Sequence, residues 1–465
     1  MSEGTLEAAT AVTAKVQRRL RDSALVKLIV SGVLVLGLLI PLAMVRSLVE
    51  ERQTRRSSAL QEVDALWGGS QTIAGPMLVV PYLAHSTDEK GRDTTCTELA
   101  YFLPDALHID ARLAPEHRNR GIFDTVVYRA ELQVSGTFAR PDFGNWPIAP
   151  ADVLWEQAFV SFGITDIRSI RGGATVHWGT TEQPFTPGSG PVDLWTSGLS
   201  APAPGLRALA DHTAVDFQIA LGINGSGEIR FLPLGKETLA SVTSTWSNPS
   251  FAGAFLPETR SVRANGFDAA WRISYFGRSY PQRWRRVDAE RTASAFTVQA
   301  TGFGVGLFLA ADAYQKTERA MKYGVLFLTL TFLTFFLFET FGTVALHPLQ
   351  YLLVGAALCL FYLLLLALSE QLAFGTAYAI AAVATVGLIA AYSSAILRKL
   401  RRSLVLALVL GGLYGYLYVL LQAEDYALLL GSLGLFAVLA LVMYITRRID
   451  WARGPAARTE AAAMP

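Results

Sequence analysis

Long apolar runs dominate this chain, one near the N-terminus and a series between Lys322 and Asp450. Several of them reach the roughly 20 apolar residues that a helix needs to cross a bilayer. Short charged or polar segments separate the runs of the series. The pattern predicts six transmembrane helices, in the ranges Leu28 to Val45, Tyr323 to Gly342, Gln350 to Ser369, Phe374 to Leu397, Leu404 to Leu421 and Tyr426 to Thr446.

The first apolar run has two interpretations. A basic cluster within residues 1–27, followed by an apolar run, is also typical of a secretory signal peptide. However, the run is about 18 residues long and no small-x-small cleavage site follows it, which favours a retained anchor. Residues 46–66 place apolar side chains at helical spacings. They are predicted to form either an amphipathic helix or an extension of the first membrane helix.

Between the first and second predicted membrane helices, the pattern changes to short alternating runs separated by glycine and proline. Such alternation predicts strands, and residues 46–322 are predicted to form a β-rich domain, either a sandwich or paired antiparallel sheets. Residues 311–322 are predicted to be a helix that leads into the membrane. The strands are predicted at Asp124 to Phe138, Ala214 to Ile223, Gly227 to Leu232, Val242 to Trp246, Ala269 to Tyr275 and Thr292 to Phe303.

The composition agrees with a membrane block joined to a water-exposed domain. The chain has 465 residues, of which 52% are hydrophobic and 17% are charged. That is too apolar for an ordinary soluble protein and too charged for one embedded entirely in a membrane. The net charge of +2 argues against nucleic acid as a partner. Cys96 lies in the polar half and Cys359 in an apolar run, so no disulfide is expected between them.

The charges of the short loops predict the orientation. Residues 398–402 and 446–453 are basic, whereas residues 369–374 and 422–426 are acidic or neutral. Loops rich in lysine and arginine stay on the cytoplasmic side. With six helices, both basic loops fall on the same side as the N-terminus. We therefore predict that the tails at residues 1–27 and 447–465 are cytoplasmic, the five-helix block at 323–446 lies in the membrane, and the β-rich domain is periplasmic.

Ionisable residues near the membrane helices are the candidates for function, because charges within a bilayer are expensive. Glu339 is the strongest of them for a proton or ion relay, because aromatic and apolar residues flank it on both sides. The alternative for each candidate is a residue at a helix end that reaches water. The candidates are Glu339 and His347 near the cytoplasmic face and Glu370, Glu424 and Asp425 near the outer face.

No catalytic, cofactor-binding or metal-binding motif is found. The histidines lack metal-ligand spacing such as H-E-x-x-H, and no phosphate-binding loop, dinucleotide fingerprint or nucleophile elbow is present. The sequence therefore predicts a protein that is not an enzyme and has no cofactor. In the fifth predicted helix, Gly411 and Gly415 are four residues apart, a spacing that permits close helix packing.

Five blocks of the chain are distinctive, namely Trp67 to Tyr82, Asp312 to Glu339, His347 to Glu370, Leu413 to Phe436 and Met443 to Trp451. They resemble the CreD family of bacterial inner-membrane proteins, also called cell envelope integrity proteins. The blocks cover most of the chain, and those of the membrane part are the more distinctive. WGGSQTIAGPMLVVPY resembles the family's entrance into its outer domain, and ERAMKYG lies in the block that resembles its return to the membrane.

The resemblance implies an inner-membrane protein of a regulon under a sensor kinase and response regulator. It also implies a role in envelope integrity and in tolerance to envelope-targeting agents such as some colicins, and it supplies no catalytic residue. Two functions are therefore predicted. One is a non-enzymatic envelope protein whose β-rich domain binds an envelope protein or a cell-wall component. The alternative is an ion- or solute-coupled transporter that uses the acidic residues named above.

Overall fold

The structure is a computed structural model that describes residues 24–87, 92–121, 123–209, 213–289, 295–307, 313–341, 347–397, 400–423 and 426–447. The chain divides into two compact units. A helical unit comprises Met1–Arg55 and Ala311–Pro465, and a β unit comprises Arg56–Ala310. The predicted arrangement of an N-terminal apolar helix, a large β-rich insertion and a series of apolar helices is confirmed.

The first helix, α1, is continuous over Ala24–Trp67. Of the two alternatives predicted for residues 46–66, the structure therefore has the extension of the first membrane helix. Within the described ranges, the helices that follow are α2 (Ala295–Gln299) in the β unit and six more, which are α3 (Ala313–Lys322), α4 (Gly324–Phe341), α5 (Pro348–Ser369), α6 (Phe374–Leu397), α7 (Leu400–Gln422) and α8 (Ala427–Thr446).

Among the described residues, five helices are long and apolar enough to cross a membrane, namely α1, α5, α6, α7 and α8. A sixth crossing is obtained if α3 and α4 are taken as one span, because Tyr314–Lys322 and Gly324–Glu339 meet at a bend of 46°. The predicted span from Tyr323 to Gly342 thus corresponds to α4, and the predicted helix before it corresponds to α3.

Helix α5 lies at the centre of the helical unit. Its buried side chains recur at helical spacing, at Val354, Leu358, Phe361 and Leu365, so they form one face of the helix. Gly355 allows α1 to approach this face closely. A Cβ atom built on Gly355 would lie 2.1 Å from Cδ1 of Leu38.

The close packing that the spacing of Gly411 and Gly415 permits is not found. A Cβ atom built on either residue would meet no heavy atom within 4 Å in the described part of the chain. Close packing requires that another helix lies against the glycine. The spacing between two glycines does not determine whether a helix lies there.

The β unit is built from two sheets whose inner faces contribute to one hydrophobic core. In the described residues, the nine-stranded sheet contains β1 (Gln71–Thr87), β2 (Asp93–Phe102), β5 (Phe159–Ile164), β8 (Thr186–Pro187), β9 (Gly198–Pro202), β11 (Glu228–Phe231), β13 (Pro249–Gly253), β16 (Arg283–Arg285) and β17 (Phe303–Leu307). The eight-stranded sheet contains β3 (Ala106–Arg120), β4 (Phe123–Ala139), β6 (Ile170–Trp178), β7 (Thr181–Pro184), β10 (Ala214–Ser226), β12 (Glu237–Ser244), β14 (Thr259–Arg263) and β15 (Gly266–Ser274).

Of the two predicted forms of the β-rich domain, the sandwich is found, although its sheets are mixed and not antiparallel throughout. β1 runs parallel to β11, and β12 runs parallel to β3. β3 and β12 are parallel because each follows a crossing from the nine-stranded sheet to the eight-stranded sheet, through residues 103–105 and 232–236, and both crossings start a strand in the same direction. β3 and β12 therefore lie side by side, with Ala106 opposite Glu237.

The structure differs from the predicted strands in two places. One predicted strand is a helix for most of its described length, and one strand of the structure was not predicted. The strand predicted over Thr292 to Phe303 is wrong in its described part, where helix α2 precedes β17. β1 was not among the predicted strands, because Gly75 and Pro76 lie in one of the glycine- and proline-containing segments that separate the alternating runs. Proline cannot donate to a strand ladder, but Pro76 lies where the pairing of β1 with β5 is interrupted, between Ala74 and Met77.

The chain enters and leaves the β unit at the same end. Gln71, at the start of β1, pairs with Ile229, and Glu228 pairs with Gly306 near the end of β17. At the opposite end, β3 and β12 begin and β15 finishes. We call this opposite end the free end of the β unit. Both cysteines of the chain are unpaired, as predicted.

Candidate functional site

Glu339 is a buried carboxylate that contacts Lys27 and Tyr351, which belong to two other helices. Its side chain is 3% exposed, and its Oε1 atom lies 2.8 Å from Nζ of Lys27, whose side chain is 28% exposed. The Tyr351 hydroxyl donates a hydrogen bond to Oε2 at 2.9 Å. A buried carboxylate is tolerated when it is paired and hydrogen-bonded, and both conditions are met here.

The positions of these residues along their helices explain the contact. Lys27 lies at the start of α1, Glu339 near the end of α4 and Tyr351 at the start of α5. Alternating helix directions bring these three termini to one end of the helical unit. The rings of Phe332 and Phe335 pack against Tyr351 at 5.5 Å and 6.1 Å between centroids, which keeps the surroundings apolar. The arrangement can fasten three helix ends together.

His347 has a structural role at the start of α5. Its Nδ1 atom accepts a hydrogen bond from the backbone N–H of Leu349 at 3.3 Å. The Gln350 side chain accepts one from the backbone N–H of His347 at 3.0 Å. This reciprocal arrangement is a capping box, which satisfies N–H groups that have no partner within the helix.

Glu370 lies at the other end of α5. It accepts a hydrogen bond from the Tyr314 hydroxyl at 3.1 Å, and the Arg52 guanidinium Nε lies 3.8 Å from the same oxygen. The 22 residues of α5 span about 33 Å, which is close to the thickness of a bilayer core. Glu339, which contacts Tyr351 at the start of α5, and Glu370, which lies at the end of α5, therefore do not form one site. Glu424 and Asp425 lie outside the described residues.

The β unit carries a polar hollow that the sequence did not indicate. His108, Ser135, Gln218 and His177 lie directly opposite one another on four neighbouring strands of the eight-stranded sheet. They line a concavity of about 380 Å³ together with Thr137, Asp216 and backbone of the same strands. Alternation alone indicates that each of these residues faces outward, but the register that aligns them is a tertiary feature.

The free end of the β unit also exposes apolar side chains. Phe276 is 83% exposed and Leu256 is 69% exposed. The Tyr275 and Phe276 rings lie against each other, with centroids 4.1 Å apart. Exposed aromatic side chains at one place on a folded domain are typical of a binding surface. The feature of the sequence that could have indicated this surface is the YFG segment, which follows the alternating residues of β15.

A buried arginine holds the loop that carries this pair. Arg278 donates from Nη1 to the Leu234 carbonyl oxygen at 2.9 Å and from Nη2 to the Gln282 side chain. Its guanidinium lies 4.7 Å from the Tyr280 ring centroid. Burial lowers the pKa of the Arg278 guanidinium, which nevertheless stays charged. The exposed aromatic pair is therefore presented on a fixed loop.

In the described ranges, no group of three or more His, Cys, Asp or Glu residues is placed to hold a metal ion. The candidate sites are thus the buried contact of Lys27, Glu339 and Tyr351, and the surface at the free end of the β unit. The sequence singled out Glu339 of the first site as a candidate, but it did not single out Lys27 as the partner of Glu339.

Comparison with known proteins agrees with this architecture. The sequence pattern of the family described as "Inner membrane protein CreD" matches residues 23–452. Inner membrane protein CreD of Escherichia coli (strain K12) is 33% identical over 422 residues, which cover 90% of this chain and 91% of that protein. The match extends over α1, the β unit and the series of helices that follows. The chain therefore belongs to the CreD family of inner membrane proteins.

Proposed function

We propose that the protein is a non-enzymatic component of the bacterial envelope whose β unit binds an envelope protein or a cell-wall component. The observation that carries this proposal is the exposed Tyr275 and Phe276 pair at the free end, beside Leu256 and on the same unit as the polar hollow. The helices anchor the β unit in the inner membrane. Membership of an envelope-stress regulon and a contribution to envelope integrity belong to the same proposal.

In this proposal the β unit lies in the periplasm and both termini lie in the cytoplasm. The basic loops support that orientation. Alternating helix directions also agree with it, because Lys27 meets Glu339 at one end of the helical unit while Arg52 approaches Glu370 at the other. The orientation and the binding surface are tested separately.

The exposed Cys96 of β2 tests the orientation. We expect a membrane-impermeant maleimide to label the protein in intact spheroplasts, because Cys96 faces solvent on the β unit and Cys359 is buried in α5. Mass spectrometry of the labelled protein measures the site. The Cys96→Ser protein is the control and should stay unlabelled. Labelling that requires permeabilised cells would reject the periplasmic orientation.

The aromatic pair tests the binding surface. We expect a photo-crosslinking amino acid placed at Phe276 or Leu256 to capture one distinct envelope component in cells. The matched control is Val262, which is 50% exposed but lies near the other end of the eight-stranded sheet, opposite Phe267. Phe276→Ser should weaken capture from position 256 at least tenfold with normal protein levels. Equal capture from Val262, or none from either position, would contradict the proposal.

The transporter alternative rests on one specific observation, the burial of Glu339 among aromatic side chains. Acidic residues inside membrane bundles are used in proton and ion pathways. The direct ion pair with Lys27 and the hydrogen bond from Tyr351 favour a structural role, because both carboxylate oxygens already have partners.

A further inference from the structure

The polar hollow of the eight-stranded sheet lies at the free end of the β unit, where β3 begins. Six polar side chains line it, namely His108, Ser135, Thr137, His177, Asp216 and Gln218. None of the six has a hydrogen-bond or ion-pair partner among the described residues. Asp110, the next outward residue of β3, instead accepts a hydrogen bond from Ser241. The hollow therefore presents several unpaired donors and acceptors at one place, as a binding site does.

The charge of the lining disfavours an anionic ligand. No lysine or arginine is among the residues of the hollow that the structure describes, and Asp216 adds a carboxylate. A phosphate or a carboxylate is normally held by a guanidinium or an ammonium group. The hydroxyls of Ser135 and Thr137, the amide of Gln218 and the two imidazoles can both donate and accept. The ligand that fits them is uncharged and rich in hydroxyl or amide groups.

The hollow is also unsuited to a peptide. It lies on interior strands of the sheet, because β3, β4, β10 and β6 each pair with a strand on both sides. A peptide that binds by adding a strand needs an unpaired sheet edge. A peptide that binds as an amphipathic helix needs an apolar groove, whereas Phe217 of this lining is only 2% exposed. A chain of sugar rings needs neither feature, since its hydroxyl groups bond directly to polar side chains.

The exposed aromatic pair adjoins the hollow. Ser274, the residue before the pair, lies opposite Glu237, and Glu237 lies opposite Ala106 in the lining of the hollow. Neighbouring strands are about 4.8 Å apart, so the pair starts about 10 Å from the hollow. Between them, Glu237 is compensated by Arg272, whose Nη1 atom lies 3.6 Å from Oε1 of the glutamate. An aromatic ring offers a flat apolar surface, on which the C–H face of a sugar ring can lie.

We propose that the polar hollow binds an uncharged sugar chain of the bacterial cell wall, with one sugar ring lying on Phe276. The hollow crosses four neighbouring strands, which is about 14 Å. It therefore takes a few sugar units, whose hydroxyl and acetamide groups bond to the polar side chains. The proposal rests on the proposed function, of which it names the ligand. Sugar chains of the outer membrane that carry phosphate are disfavoured, because no cation lines the described part of the hollow.

Isothermal titration calorimetry of the full-length protein in nanodiscs tests the ligand. The probe is chitotetraose, an uncharged chain of N-acetylglucosamine, which is one of the two sugars of the cell-wall glycan. The comparators are the phosphorylated core oligosaccharide of lipopolysaccharide and the stem peptide of the cell wall. We expect chitotetraose to bind at least about tenfold more tightly than either comparator, because it alone matches the uncharged, hydrogen-bonding lining.

Two pairs of variants locate the site. Gln218→Ala removes an amide from the hollow and should weaken chitotetraose binding about fivefold. Gln133→Ala is its matched control, because Gln133 is also exposed, on the adjacent strand β4, but does not line the hollow. Phe276→Ser should weaken binding about tenfold, whereas Val262→Ser, near the other end of the sheet, should not. All of these variants change exposed side chains, so the unfolding temperature should stay unchanged.

Three results would overturn the assignment of the ligand. They are no binding of chitotetraose, tighter binding of either comparator, and equal effects of Gln218→Ala and Gln133→Ala. Photo-crosslinking from Phe276 and Leu256 separates these results from a failure of the proposed function. Capture of an envelope protein without sugar binding would reject the sugar chain and retain the β unit as a binding module. The absence of both capture and sugar binding would reject both proposals.

Discussion

Replacing Lys27 by methionine is expected to lower the free energy of unfolding of the helical unit by about 3–5 kcal/mol. The variant removes the ammonium that lies 2.8 Å from the Glu339 carboxylate, whose side chain is 3% exposed. Breaking a buried ion pair by removal of one partner is costly, because the remaining charge stays desolvated. Thermal unfolding of the purified protein and its level in the membrane measure the effect.

The double variant provides the control. Lys27→Met with Glu339→Gln removes both charges, and the amide oxygen of glutamine can still accept the Tyr351 hydrogen bond. We expect it to recover most of the stability lost in Lys27→Met. Additive losses in the double-mutant cycle would show that the two groups do not interact.

Glu339→Gln alone distinguishes the two proposed functions. Lys27 is partly exposed, so its ammonium can reach water when the carboxylate is removed, and the loss of stability should be smaller than in Lys27→Met. A structural role predicts that envelope protection persists at normal protein levels. Loss of protection at normal levels would instead support the transporter alternative.

Gly355→Leu is expected to disrupt the helical unit. Even a Cβ atom at this position would lie 2.1 Å from Cδ1 of Leu38 and 3.1 Å from Cζ of Phe332. A leucine therefore forces α1 and α4 away from the buried face of α5, and overpacking of this kind costs about 1–3 kcal/mol or more. The expected result is a large loss of protein in the membrane and a lower unfolding temperature.

Gly387→Leu is the matched control for that prediction. Gly387 also lies within a membrane helix, α6, but a Cβ atom there would meet no heavy atom within 4 Å. We expect this variant to accumulate normally, since leucine also has the better helix propensity. Equal losses for Gly355→Leu and Gly387→Leu would mean that the contact of Gly355 with Leu38 is not what limits stability.

The sequence by itself determined the class of protein and the order of its elements. A membrane helix satisfies its own backbone hydrogen bonds and needs about 20 apolar residues, so its presence is decided locally. α1, α5, α6, α7 and α8 follow from their composition alone. The alternation in β4 and β10 likewise indicates strands with one buried face.

The tertiary structure decided which residues meet. Lys27 and Glu339 are far apart in the chain, and only the antiparallel helices make them an ion pair. His108 and His177 lie in one hollow because two intervening strands have a definite register. Gly355 packs closely while Gly411 and Gly415 do not, because the residue that faces each glycine belongs to another helix. Local pattern determines where an element lies, and the contacts between elements depend on residues far away in the chain.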